Sequence, residues 1–330
     1  MISAATSTTT PAATTDTGTT ETHDVDDRVA TVLDEFAGHF VASLRAPVLH
    51  HPSEYGMEAE TVTFPASDGV PLEGWFIPAE GSDKLVIANH PMTFSRSGQP
   101  THREPWLSMW GSSGNTMEVD FVQDYRILHD AGYNVLAYDL RNHGLSGAAH
   151  GGILGSGLLE ARDVLGSLSY VVEREDTRAM TIGLFSRCLG ANSTFAAMTQ
   201  RPRAFDGVRC LVAPQPVTTG IILQYQLELA GVSRTHIGAL DERLVLRTGI
   251  SLAERDTREW AKNVTTPTFV YQVRDDVLTV PEDVQTMFDN IPLDDKKLHW
   301  VEGSTARWDG YLEFQRRPEP MLAWFQEHMG

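Results

Sequence analysis

Residues 181–190 read TIGLFSRCLG, an apolar run that meets a serine, then a cysteine two positions later, then a glycine and a helix-like stretch. The pattern is a strand turning abruptly into a helix. Two side chains capable of nucleophilic attack, Ser186 and Cys188, compete for the apex of that turn. A tight strand–turn–helix elbow accepts only small residues two positions to either side of its apex, because a Cβ there collides with the neighbouring chain. Centred on Cys188, the flanks are Ser186 and Gly190; centred on Ser186, they are Leu184 and Cys188. The steric register selects Cys188 as the candidate nucleophile and makes Ser186 its small neighbour. The competing reading of Cys188 is an inert buried thiol. Cys210, inside an apolar run, reads as structural.

Working outward, short apolar runs alternate with helical patterns. ETVTFPA and PLEGWFIPA flank the turn SDGV and read as an antiparallel hairpin. KLVIANHP, NVLAYDLR, MTIGLFS, VRCLVAPQ, PTFVYQV and KLHWVEG follow as strands buried on both faces. Helical patterns lie between them, over 116–131, 157–173, 189–200, 282–290 and 317–329. A leading hairpin followed by repeated strand–helix units predicts an α/β fold with a mostly parallel eight-stranded sheet flanked by helices. Residues 217–262 are helical in pattern with no intervening strand, as expected for a helical cap over the carboxyl edge of the sheet. Residues 1–25 are Thr/Ala-rich and too polar to offset the entropy of ordering, so they are expected to form a disordered tail in which His23 is idle. The predicted organisation is tail 1–25, N-terminal helical segment 26–56, core 57–216, cap 217–262 and core 263–330.

Composition narrows the function. The 330 residues carry a formal net charge of −18, which excludes nucleic acid and anionic membranes as partners. Two cysteines exclude a disulfide framework and suit a reducing compartment. With no secretory signal pattern and no run near the ~18 apolar residues of a membrane span, a cytoplasmic location is expected. Nothing reads as a cofactor or metal motif. The expected partner is a small-molecule acyl substrate, and a homodimer is left open.

Further segments stand in a telling order around the elbow: VIANHPMT after the third run, YDLRNHGLSG after the fourth, and VRDDVLTVPED late in the chain. With them, residues 57–330 resemble the α/β-hydrolase superfamily, in the cysteine-nucleophile variant typified by dienelactone hydrolases. The resemblance implies an oxyanion hole made by the N–H groups of Leu189 and Met92, and an acid at Asp276, with Asp275 second. It also implies a histidine after the last strand, to take the nucleophile's proton and turn to the acid. Here that loop, VEGSTARWDGY, holds Arg307, Trp308 and Asp309 and no histidine. Arginine stays protonated and cannot act as a general base.

His90 in the oxyanion loop and His102 in the long connection 92–115 are the candidate replacements. His299 falls within a strand pattern, and His143 reads as a structural turn residue. Arg307, Trp308, Tyr311 and Trp106, with Trp110, are candidate pocket residues, although aromatic side chains there equally suit packing. Three functions fit. One is an esterase, thioesterase or acyltransferase acting on an ester, lactone or thioester through Cys188, by hydrolysis, acyl transfer or cyclisation in specialised metabolism. Another is a non-hydrolytic lyase or cyclase in which Cys188 forms no bond. The last is an inactive ligand-binding protein that keeps the pocket.

Overall fold

A computed structural model describes the backbone of residues 18–330 and the side chains from residue 26 onward. Residues 1–17 of the expected tail and the side chain of His23 lie outside what is described. Helix α1 (Gly18–Gly38) begins upstream of the boundary expected at residue 25.

The hairpin β1 (Glu60–Pro65) and β2 (Pro71–Ile77) pairs Pro65 with Pro71 across the turn. Next come β3 (Lys84–Asn89), β4 (Gly98–Pro100), α2 (Trp106–Trp110), β5 (Glu118–Asp120), α3 (Val122–Asp130) and β6 (Asn134–Tyr138). The pattern over 116–131, expected to be wholly helical, thus opens with strand β5, which pairs antiparallel with β4 in a separate two-stranded sheet. Then follow α4 (Ala161–Glu173), β7 (Thr181–Ser186), α5 (Leu189–Gln200) and β8 (Val208–Pro214). Helices α6 (Thr219–Leu229), α7 (Ile237–Thr248) and α8 (Thr257–Ala261) occupy the cap region. The chain ends with β9 (Thr268–Val273), α9 (Pro281–Asn290), β10 (Lys296–Val301), α10 (Arg307–Arg316) and α11 (Glu319–Met329).

The main sheet has eight strands in the order β1-β2-β6-β3-β7-β8-β9-β10. Strand β2 runs antiparallel to both neighbours, and every other pairing is parallel. All six residues of β9 and five of six in β7 are buried, because helices cover both faces. One face packs against α4, α5, α8 and α9, and the other against α3, α10 and α11. From β3 the chain passes to β6 on one side and later to β7 on the other. That reversal opens a crevice at the carboxyl ends of β3 and β7, where such sheets accept ligands.

The crevice is roofed by a third apolar cluster. Leu33, Ala37 and Phe40, spaced to lie on one side of α1 and its end, pack with Leu223 and Leu227 of α6 and with Leu240 and Leu244 of α7. The roof is therefore built by the N-terminal helix together with the cap. Among the described residues, no helix is long and apolar enough to cross a membrane.

Candidate active site

The chain has two residues, Arg187 and Cys188, in which to turn from β7 into α5. Cys188 takes φ 48° and ψ −107°, a left-handed backbone that L-residues avoid. A Cβ on Gly190 would lie 2.6 Å from Asn89 Cβ and 2.8 Å from the Asn89 backbone. Only glycine lets α5 start this close to the end of β3. Ser186 is fully buried, and its Oγ accepts hydrogen bonds from Asn89 Nδ2 (2.8 Å) and Thr194 Oγ1 (3.0 Å). It belongs to the scaffold. Arg187 is fully buried and sandwiched between Phe121 and Phe185, where it pairs with Asp124.

Cys188 faces a cavity of about 290 Å³. The sheet side contributes Met92, Leu189, Trp308 and Tyr311, and the roof contributes Phe36, Phe40, Ile222 and Leu223. The walls are mostly apolar. Among the described residues, the N–H groups of Leu189 and Met92 have no hydrogen-bond acceptor, and both residues line the cavity.

Arg307 is the first residue of α10 and is almost fully buried. Its Nη1 donates to Asp276 Oδ2 at 2.6 Å, its Nη2 donates to the Gln215 carbonyl, and its Nε donates to the Tyr311 hydroxyl at 3.3 Å. Burial works against its charge. The adjacent Tyr311, Cys188 and Asp276 outweigh burial and hold its proton more tightly than usual. Burial, and then Cys188, likewise push the Tyr311 phenol well above its ordinary range, and Arg307 offsets only part of this. Asp276 is buried while Asp275 is exposed, which separates the two acid candidates. Asp276 Oδ1 accepts the Leu278 N–H at 2.9 Å, and its Oδ2 also accepts from Gln272 Nε2 at 3.1 Å. A cysteine, an arginine and an aspartate thus stand in sequence where the resemblance implied cysteine, histidine and aspartate.

Neither candidate histidine joins them. His90 is 1% exposed, with both ring nitrogens committed: Nδ1 to the Pro91 carbonyl (2.7 Å), while Nε2 accepts the Leu140 N–H (2.9 Å). It ties the loop after β3 to the loop after β6. Burial, helped by His143, holds its pKa well below the ordinary value. His102 sits at the surface, accepts from Arg103 Nε at 2.9 Å and lies 3.7 Å from Glu118. The long connection carries it outward, away from the crevice. His299, on β10, faces Glu313 at 3.6 Å. His143 is a buried turn residue bonded to the Arg141 carbonyl.

Of the pocket candidates, Arg307, Trp308 and Tyr311 line the cavity and Trp106 does not. Trp106 lies one turn before Trp110 on α2, about 6 Å along the axis, and packs half-buried on the core. Trp110 takes the wall position, its ring 5.1 Å from that of Trp308. The long connection has a second use: Asn115 Oδ1 accepts the Trp308 N–H (2.9 Å), and Thr101 Oγ1 accepts Trp308 Nε1 (2.8 Å).

Sequence reading missed Gln215. At φ 56° just beyond β8, its backbone carbonyl receives Arg307 Nη2, its Nε2 donates to the Arg307 carbonyl, and its Oε1 accepts the Val273 N–H at 3.1 Å. Gly310 makes room for it, since a Cβ there would fall 2.0 Å from Gln215 Nε2. Among the described residues, no group of three or more His, Cys, Asp or Glu side chains is arranged to hold a metal ion.

No known family profile matches the chain. Three curated relatives bear the name uncharacterized protein YfhR. That of Escherichia coli O157:H7 is 26% identical over 183 residues, 54% of this chain and 56% of that one. That of Salmonella typhimurium is 30% identical over 142 residues, 43% of this chain and 41% of that one. The chain thus spans about half the length of the curated relatives it matches. Among solved structures, the Pyrococcus furiosus esterase Pf2001 aligns with a TM-score of 0.62 at 21% identity, covering 87% of this chain and 99% of that one. The α/β hydrolase GrgF from a Penicillium species aligns at 0.54 and 17%, covering 82% and 99%. A dienelactone hydrolase from Anabaena variabilis aligns at 0.50 and 14%, covering 83% and 99%. The fold is that of the α/β hydrolases.

Proposed function

We propose that the protein is an acyl-processing enzyme in which Cys188 attacks the carbonyl of an ester, lactone or thioester. The observation that carries this reading is the surroundings of Cys188. It stands on a strained elbow facing an apolar cavity, with Arg307 and Tyr311 about its sulfur and Asp276 behind Arg307. Arginine takes no proton, so the attacking species is the thiolate, its charge balanced by the guanidinium. A sulfur nucleophile depends far less on a dedicated base than a hydroxyl does. The oxyanion of the tetrahedral intermediate is held by the N–H groups of Leu189 and Met92, which have no acceptor among the described residues. Asp276 and Gln215 hold Arg307 in place. Trp308, itself fixed by Asn115 and Thr101, walls the acyl site.

Covalent labelling tests the reading. Iodoacetamide and an acyl thioester at neutral pH should each add one group to the protein by intact mass, mapped to Cys188. An unmodified Cys188 under conditions that alkylate glutathione sinks it.

A second reading draws on Arg307 itself. A fixed, buried cation polarises a carbonyl without any covalent step, as a lyase or cyclase requires. Turnover that survives Cys188→Ala supports this alternative.

A further inference from the structure

A serine or cysteine hydrolase of ordinary design recycles a proton: the histidine that takes it from the nucleophile returns it to the leaving group. Among the described residues, no histidine is hydrogen-bonded to Asp276 or to Cys188. Of the side chains lining it, those that titrate are His39, Cys188, Arg307 and Tyr311. Arg307 is buried and held protonated by its neighbours, and Tyr311 is a weaker acid than a free phenol. Asp276 lies behind Arg307, with both carboxylate oxygens occupied. His39 stands on the roof just past the end of α1, exposed and stacked on Phe36. Among the described residues, no hydrogen bond or ion pair joins it to Cys188, Arg307 or Tyr311.

The geometry points to a restriction on substrate class: the enzyme takes acyl donors whose leaving group departs as a stable anion, thioesters above all, and passes the acyl group to a thiol acceptor. This rests on the Cys188 reading above. In the first half, the Cys188 thiolate forms a bond to the carbonyl carbon and the carbon–sulfur bond of the donor breaks. The donor thiolate leaves with the electron pair and needs no proton from the protein. In the second half, an acceptor thiolate attacks the acyl-enzyme carbonyl. The bond to Cys188 Sγ breaks, and the electron pair returns to a sulfur again facing Arg307. Charge and protons balance in each half. Attack by water or an alcohol would need a base to accept its proton, and departure of an alkoxide would need an acid to supply one.

The test uses the full chain and an octanoyl series: the N-acetylcysteamine thioester, the 4-nitrophenyl ester and the ethyl ester. Acylation of Cys188 is followed by stopped-flow and intact mass. The thioester and aryl ester should acylate Cys188 in a single-equivalent burst. The ethyl ester should react slower by about 100-fold or more, the scale that proton transfer contributes to such steps. Added N-acetylcysteamine should speed turnover saturably, and the ratio of thioester to ethyl-ester acylation should be the same in His39→Gln as in the parent protein. An ethyl ester within about tenfold of the aryl ester would overturn the restriction while leaving Cys188 as the nucleophile. So would hydrolysis in the absence of thiol that is as fast as acylation, or deacylation lost in His39→Gln. Absence of acylation by every probe would overturn the Cys188 reading and the restriction with it.

Discussion

Arg307 Nη1 and Asp276 Oδ2 meet at 2.6 Å with both side chains almost completely shielded from solvent. The pair lies directly behind the candidate nucleophile. Taking two charges out of water is costly, and the cost is recovered only while both remain.

Arg307→Met should therefore destabilise the fold by about 3–5 kcal/mol, because Asp276 is left buried and unpaired. The double variant Arg307→Met/Asp276→Leu should recover much of that loss in urea melts. It should not recover Cys188 labelling by the octanoyl thioester. Stability and labelling restored together would show that the pair is structural only.

Ser186 and Cys188 should separate cleanly. Ser186→Ala removes the acceptor for Asn89 and Thr194, costing about 1 kcal/mol, and should leave the iodoacetamide adduct intact. Cys188→Ala should abolish the adduct. Peptide mapping after labelling distinguishes them, and an adduct lost in Ser186→Ala would reverse the register of the elbow.

Gly310→Ala tests the seat of Arg307. A methyl group placed 2.0 Å from Gln215 Nε2 must push α10 or Gln215 aside. The expected cost is about 1–3 kcal/mol, the range for overpacking. Acylation should slow as well, since the Gln215–Arg307 contacts are disturbed. Gln215→Ala on the Gly310→Ala background relieves the clash and should restore stability more than rate.

His90 gives a pH dependence. It is buried neutral, its pKa held well below 6.5. Below that pH the unfolded chain binds a proton at this position that the folded chain does not. Stability therefore rises with pH and is lost as pH falls below the unfolded value, by about 1.4 kcal/mol per pH unit from this residue. Chemical melts of His90→Asn should show a shallower decline between pH 6.5 and 5 than the parent protein. Parallel slopes would contradict the assignment.

The turn from β7 into α5 is legible from sequence because its constraint is local and steric: Ser186 and Gly190, on either side of Cys188, are small where the turn leaves no room. The hairpin, the parallel strands and the cap helices were legible for a similar reason, since each carries its own period or turn. Helix α10 was not. The sequence reads residues 301–311 as a loop, and Asp309 and Gly310 are poor helix formers. The spacing of Trp308, Tyr311 and Phe314, three apart, was the available signal, and all three are buried. Arg307 was noted as occupying the histidine's region, but its pairing with Asp276 joins residues 31 apart in sequence. No local rule encodes that contact. The three-residue strands β4 and β5 are too short to show a period. The same lack of local signal hid Gln215, whose partners lie on β9 and α10.

The backbone at Cys188 has one more consequence. Holding a side chain at φ 48° costs of order 1–3 kcal/mol, and glycine there escapes the cost. Cys188→Gly should thus melt above Cys188→Ala despite losing more side chain. The chain would be sturdier with its apex blank, so the side chain held there is a load the fold carries for no gain in its own stability.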